Sequence, residues 1–345
     1  MVSRWRALNE RWTAVATFAD EDEDARRYRF RREMLAEIIS KLPNLVSVEA
    51  DLVDRPFESL PPHLERREVS NALRSIGPQI TSSITLESEF EDEDVGEVHI
   101  TEGYLAEFLQ SFPNVARVHL SLPLAPSGRT ELHKTLSSLS SLTNLVIGDA
   151  AFVNEAFAAL SWSSPISLLA LRDCDELSLP SLISFLTTLG PSLKTLDLDD
   201  VPANLTESES KKLLRPLPLP HLSTLVLATI HNEAILRLFA RTTLKELCIA
   251  ACPAIEYPAW EAFITEHAGS LRTVTLESDH ELTDAQVESV EVFCFAKGIE
   301  CRVERDDDSD DEEEYMDDEA VDPWSDDGDV DDGDGLSDDD DEWIQ

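Results

Sequence analysis

One short apolar pattern returns along most of this chain of 345 residues, and it restricts the fold more than any other feature. The pattern places apolar residues at positions i, i+3 and i+5, as in PSLKTLDL at 191–198, PHLSTLVL at 220–227 and GSLRTVTL at 269–276. Its eight copies begin at residues 45, 115, 142, 166, 193, 222, 244 and 271. From residue 115 onward, successive copies lie 22 to 29 residues apart, which is typical of a repeat array.

Each copy is predicted to be a short strand, and the segments between copies have helical spacing. Leu182, Leu186 and Leu189 illustrate that spacing. A single strand–helix unit cannot cover its own apolar side, so neighbouring units are expected to stack around one continuous core. The repeat length is that of leucine-rich repeats. The predicted fold class is therefore α/β: a leucine-rich repeat solenoid, or horseshoe, with a parallel concave sheet and convex helices.

The solenoid is expected to span residues 33–304. Residues 1–32 are predicted to form an N-terminal helical cap that contains an acidic run and the arginine cluster ARRYRFRRE at 25–33. The long interval between the first two copies holds two further strand frames, Ile80-Ile84-Leu86 and Val95-Val98-Ile100. Ile299, Cys301 and Val303 are predicted to form the last strand.

Three segments carry a resemblance to a known family. ISLLALRDC at 166–174 and LKELCIAAC at 244–252 resemble the repeat consensus in which a cysteine follows the last strand leucine by three residues. LTDAQV at 282–287 is similar to the start of the helix in the cysteine-containing subtype of F-box proteins. With the proline-led strands and the acidic end, the chain resembles fungal F-box-like leucine-rich repeat proteins. The resemblance implies selection of substrates for a cullin-type ubiquitin ligase.

An F-box of that family is a three-helix module that normally opens with Leu-Pro and precedes the repeats, and no complete copy is evident here. LPPHLERREVSNAL at 60–73 and MLAEIISKL at 34–42 each resemble part of it. Both segments are interpreted as portions of irregular early repeats. Docking to a Skp-type adaptor therefore rests on the resemblance of the repeats alone.

Alternate residues of each strand are expected to face the concave side of the sheet. Small apolar side chains in the middle of that face are predicted to form a partner-binding patch bordered by charged residues. The alternative is that these small residues only fill a parallel sheet. The predicted contact residues are Arg117, His119, Val146, Leu168, Ala170, Arg172, Asp197, Asp199, Val226 and Cys248.

The sequence offers little for catalysis or for cofactors. No phosphate-binding loop, nucleophile elbow or glycine-rich dinucleotide fingerprint occurs. Cys248 and Cys252 are expected to face opposite ways, and Cys174 and Cys252 are interpreted as buried side chains that close a turn. No catalytic, cofactor or metal site is predicted, and the protein is not expected to be an enzyme.

The net charge of −42 excludes an ordinary nucleic-acid-binding protein, because phosphates are gripped by lysine and arginine. Residues 305–345 are predicted to be a disordered acidic tail, since 306–345 contain 23 acidic and no basic residues. The tail is interpreted as an inert or autoregulatory segment, and the alternative is a polyanion that attracts basic partners. Ser309 and Ser337 have an acidic residue three positions on and are candidate sites for an acidophilic kinase. No apolar run is long enough for a membrane span, and five thinly spread cysteines favour the cytoplasm or nucleus.

Three functions fit these features. The first is non-enzymatic protein recognition on the concave face. By the resemblance, this recognition would select substrates for a ubiquitin ligase with a Skp-type adaptor and a cullin. The second is an acidic-tailed chaperone or regulator that binds histones or other basic proteins. The third is a GTPase activator of the Ran type, which ranks last because its more regular repeats with fixed Asn and Gly positions are missing here.

Overall fold

The protein is built on a parallel sheet whose strands follow one another in chain order. The computed structural model describes residues 47–51, 74–87, 100–122, 124–125, 130–201, 215–252, 255–277 and 282–304. The strands are β1 Ser47–Asp51, β2 Ser83–Glu87, β3 Ile100–Thr101, β4 Arg117–Ser121, β5 Leu124–Ala125, β6 Asn144–Gly148, β7 Leu168–Arg172, β8 Thr195–Asp199, β9 Thr224–Ala228, β10 Glu246–Ile249, β11 Thr273–Leu276 and β12 Glu300–Val303. All except β3 and β5 form one open ten-stranded sheet.

Helices connect most neighbouring strands of the described residues. They are α1 Glu102–Leu109, α2 Glu131–Ser138, α3 Glu155–Ala158, α4 Leu179–Leu189, α5 Leu236–Phe239, α6 Tyr257–His267 and α7 Asp284–Lys297, with 3-10 turns at Gly77–Gln79 and Glu233–Ile235. Their ends follow local sequence signals. The α7 helix starts with a capping box between Thr283 and Gln286 and ends at Gly298, whose φ of 70° is left-handed.

The core lies between the sheet and the helices and runs through every described unit. The i+3 and i+5 residues of the repeated frame are buried in each strand of the ten-stranded sheet from β4 to β11, as Leu196 and Leu198 show in β8. Burying each such leucine contributes about 1.5–3 kcal/mol, so no unit is stable without its neighbours. The chain is therefore a leucine-rich repeat solenoid, as the repeat period predicts.

The interval before residue 113 differs from one expectation. The frame Ile80-Ile84-Leu86 is confirmed, since Ile84 and Leu86 are buried in β2. The frame that ends at Ile100 was predicted to be a further repeat strand, and this is wrong. The β2 strand pairs directly with β4, Ile84 beside Val118, which leaves no space between them. Ile100 instead begins the short β3 strand, which pairs with β5 outside the main sheet.

Both predicted ends of the chain lie outside the described residues. This applies to the N-terminal cap at 1–32 with its arginine cluster and to the acidic tail at 305–345 with Ser309 and Ser337. The last predicted strand is confirmed as β12. Among the helices that the structure describes, none is long and apolar enough to cross a bilayer.

Candidate protein-binding face

One face of the main sheet is covered by the core, and the other carries the alternate side chains of the strands. In β8 and β9 the i+3 and i+5 residues of the frame are buried, whereas the residues that alternate with them remain partly exposed. We call this second side the exposed face. Strand register arranges its side chains in rows across the sheet. From β2 to β12, the middle row consists of Thr85, His119, Val146, Ala170, Asp197, Val226, Cys248, Thr275 and Arg302.

The apolar part of the exposed face is concentrated on β6 and β7. Val146 lies beside Ala170, and Leu168 lies beside Asn144 in the adjoining row. Ala170 is only 3% exposed, whereas Val146 and Leu168 are half-buried. The side chains of Val146 and Leu168 therefore supply the apolar surface that a partner can reach.

A fixed ion pair interrupts the apolar residues. Asp197 pairs in register with Ala170 on one side and Val226 on the other, so it lies inside the predicted patch rather than at its border. Its carboxylate accepts a hydrogen bond from Arg172 across a 2.8 Å contact. That bond raises the pKa of the Arg172 guanidinium, with Asp197 and Asp199 as nearby negative charges. The exposed face thus combines an oriented charge pair with two small apolar areas. The first consists of Val146 and Leu168, and the second consists of Val226 and Cys248 on the other side of Asp197.

Cys248 extends the second apolar area onto β10. Its thiol donates to the Glu277 carboxylate at 3.0 Å. Burial, followed by the Glu277 carboxylate, raises the pKa of Cys248 well above its usual range. The thiol is therefore neutral at physiological pH and a poor nucleophile, because the thiolate is the reactive form.

The remaining predicted contact residues border this region. Arg117 is exposed and His119 is half-buried, both on β4. They lie in the same two rows as Leu168 and Val146 and pair directly with β6. Asp199 follows Asp197 on β8 and pairs in register with Arg172. The structure therefore brings Arg117, His119, Val146 and Leu168 together on three adjacent strands.

A turn at the ends of four strands was not foreseen from the sequence. Asp149, Asp173, Asp200 and Thr229 follow β6 to β9 and have φ angles of 50°, 50°, 41° and 47°. Burial and the neighbouring aspartates raise the pKa of Asp173. His231 contacts Asp200 at 3.1 Å. The sequence feature that could have predicted this turn is the aspartate that recurs two residues after the last buried strand residue, since Asp tolerates a positive φ angle.

Cysteine side chains fill the core as predicted. Cys174 and Cys252 are buried, and their thiols donate to the carbonyls of Arg172 and Leu227 at 3.3 and 3.5 Å. Burial raises the pKa of Cys174 to about 12. In the part of the chain that the structure describes, no three His, Cys, Asp or Glu side chains are arranged to hold a metal ion.

The class of protein that the fold defines is the leucine-rich repeat solenoid. Neither a family model nor a curated protein matches the sequence. Among solved structures, the Rad7 and Elc1 complex in yeast is similar over 76% of this chain, with 15% identity and a TM-score of 0.48, and the chain spans 63% of that protein. The leucine-rich repeat-containing protein LegL7 from Legionella pneumophila is similar over 84% of this chain and 89% of its own, with 18% identity and a TM-score of 0.49.

Proposed function

We propose that this protein is a non-enzymatic recognition scaffold that binds a protein partner on the exposed face. One observation carries the proposal: accessible Val146 and Leu168 and the oriented Arg172–Asp197 ion pair lie together on the three adjacent strands β6 to β8. Apolar contacts supply the driving force for such an interface, and the fixed charges select the partner. A repeat sheet presents these groups on a rigid, extended surface.

The chemistry of this face supports recognition rather than catalysis. Its thiol, Cys248, is held neutral beside Glu277, so it lacks the activated form that a nucleophile needs. The Arg172 guanidinium is occupied by Asp197. A surface of this kind binds a side chain or a peptide without offering a reactive group.

The ligase role is the finer part of the proposal. The repeats with a cysteine after the strand, at 166–174 and 244–252, resemble those of F-box-like proteins. By that resemblance, the partner on the exposed face is a substrate for ubiquitination, and a Skp-type adaptor and a cullin join the complex in the cytoplasm or nucleus. This step rests on analogy between folds and is therefore tested separately.

The test compares two variants of the full-length protein purified from its native host. The double variant, Val146→Glu with Leu168→Glu, places two charges in the apolar area of the exposed face. The control, Val292→Glu, makes the same kind of change on the exposed side of α7. Quantitative mass spectrometry of co-purified proteins should show partners lost with the double variant and retained with the control. Circular dichroism verifies that both fold. Equal recovery of every partner with both variants would refute the proposal.

The same purification tests the ligase role. An adaptor and a cullin that co-purify with wild type and with the double variant, while other partners are lost, would support substrate selection. If no adaptor or cullin is recovered with wild type, the ligase role is rejected, whereas recognition by the exposed face is judged on the other partners.

The acidic segment favours a second function, binding of basic proteins. Its 23 acidic residues without a single basic one would attract histones or arginine-rich segments. Replacing the acidic residues of 306–345 by Asn and Gln in the full chain should abolish salt-sensitive histone binding. Binding that is unchanged by this replacement would exclude the segment as the site. Phosphopeptide mapping at Ser309 and Ser337 tests whether a kinase adds further charge there.

A further inference from the structure

The last strand of the sheet has an outer edge that no described residue covers. Among the described strands, β12 pairs only with β11 and ends the strand order. The amides of Glu300 and Glu304 donate to the carbonyls of Arg272 and Leu276 on the inner side. Because backbone groups alternate along a strand, the N–H and C=O groups of Cys301 and Val303 point outward. This edge is a ready template for another strand.

An exposed aromatic side chain lies on the same end of the solenoid. In the described residues, the two large apolar side chains that remain exposed are Val292 and Phe295 of α7, at 62% and 88%. Gln286 of this helix lines a cavity together with Tyr257 and Trp260 of α6, so its side of the helix faces the preceding unit. Phe295 follows Gln286 by about two and a half turns and lies on the opposite side. It therefore faces the free end, as the outer edge of β12 does.

The charges around this region are mainly negative. Glu291 precedes Phe295 by one helical turn, and Glu300 and Glu304 lie along the strand. Two nearby cations have other contacts: Arg302 is paired with Glu300 at 2.9 Å, and the Lys297 ammonium lies over the Phe293 ring, 5.8 Å from its centre. We use the term terminal surface for Phe295, Glu291 and the outer edge of residues 300–304.

We propose that the terminal surface binds an extended basic segment of a partner protein, which pairs with β12 as an added strand and packs an apolar side chain against Phe295. Main-chain hydrogen bonds supply affinity in this mode, and alternate side chains supply specificity. One side of the added strand meets Cys301 and Val303, which pack on the core, and the other meets Glu300 and Glu304. A second copy of the chain fits poorly, because each copy carries a net charge of −42.

The experiment measures binding of two capped synthetic peptides to the full-length protein by fluorescence anisotropy. In one peptide lysines alternate with valine and leucine, and in the other the same residues are ordered with the lysines in one block. The first peptide should bind more tightly, because only alternation places its apolar and basic side chains on opposite sides of a strand. Equal binding of both peptides would indicate attraction by the acidic segment and would overturn the proposal.

A matched pair of variants tests the strand edge. Val303→Pro removes an outward N–H and leaves the bonds of Glu300 and Glu304 to the neighbouring strand, which is how sheet edges tolerate proline. Val303→Thr keeps the N–H at similar volume. Val303→Pro should weaken binding of the alternating peptide about tenfold, whereas Val303→Thr should change it by less than about threefold. Equal affinities of the two variants would overturn the proposal.

A second pair tests the aromatic contact and does not depend on the proline variant folding. Phe295→Ser should weaken binding of the alternating peptide, whereas Phe295→Leu, which keeps a large apolar side chain at this position, should retain it. The Val146→Glu and Leu168→Glu variant should bind it normally, so the result is independent of the exposed face. A concentration-dependent dimer in sedimentation that Val303→Pro abolishes would identify a second copy as the occupant and overturn the basic-segment proposal.

Discussion

Single residues at the strand ends hold the chain in a conformation that most side chains avoid. Asp149, Asp173 and Asp200 adopt positive φ angles with a short polar side chain, which lowers the cost of that conformation. Thr229 occupies the equivalent position after β9 with a φ of 47°. A β-branched side chain is strained there, so this residue is a local weakness in an otherwise regular turn.

Thr229→Asn is expected to stabilise the protein by up to about 1 kcal/mol, because Asn accepts the left-handed conformation more readily than Thr. Thr243→Asn is the matched control, since Thr243 is exposed and does not have a positive φ. Denaturant unfolding followed by circular dichroism measures both changes. A gain of equal size in the control would show that backbone strain at Thr229 is not the cause.

At the scale of an element, close backbone packing explains why one glycine is required. Gly77 starts the 3-10 turn before β2, and a Cβ atom there would lie 2.0 Å from the carbonyl oxygen of Ser111. Gly77→Ala should destabilise by about 1–3 kcal/mol, because backbone atoms must move to admit the methyl group. Gly269→Ala meets nothing within 4 Å and should be neutral or slightly stabilising in thermal unfolding. Similar melting temperatures for the two variants would contradict this packing.

The packing of α2 buries a histidine, and its titration should make the stability of the protein depend on pH. His133 is buried on this helix, and its Nε2 donates to the Phe152 carbonyl at 2.8 Å, whereas Nδ1 has no hydrogen-bond partner among the described residues. Burial lowers the pKa of His133 below 6.5, although Phe152 and Glu102 oppose the shift. Below pH 6.5 the unfolded chain therefore holds more protons at this residue than the folded chain. The free energy of unfolding should consequently fall as the pH falls through this range.

His133→Gln should reduce the slope of unfolding free energy against pH between pH 7.5 and 5.5, while its amide can still donate to Phe152. A single histidine contributes at most about 1.4 kcal/mol per pH unit. His221→Gln, at an exposed position, is the matched control for the substitution itself. Equal slopes in wild type and His133→Gln would show that protonation of His133 is not what links stability to pH.

For the molecule as a whole, the repeat frame predicts most of the fold because it records burial locally in every unit. Leu145, Leu196 and Leu247 are each identified by spacing alone and are each buried. The prediction for the frame that ends at Ile100 is wrong because a short apolar frame does not indicate which sheet its strand joins. In the main sheet, β2 and β4 already pair with each other. The residues of the exposed face follow from alternation. The Arg172–Asp197 contact depends on side-chain conformations across two strands, which spacing does not encode.

Because each unit contacts mainly its neighbours, a lesion in the middle of the array should act regionally. Leu196→Ala leaves a cavity in β8 and should cost about 2–5 kcal/mol. Hydrogen exchange should rise most in β7, β8 and β9, and less in β2 and β12, since stability in a solenoid is the sum of units and their interfaces. Val274→Ala in β11 is the control and should affect β10 to β12. A uniform loss of protection in every strand with both variants would instead show that the array unfolds as one cooperative unit, with coupling between units strong enough to spread a local defect along the whole sheet.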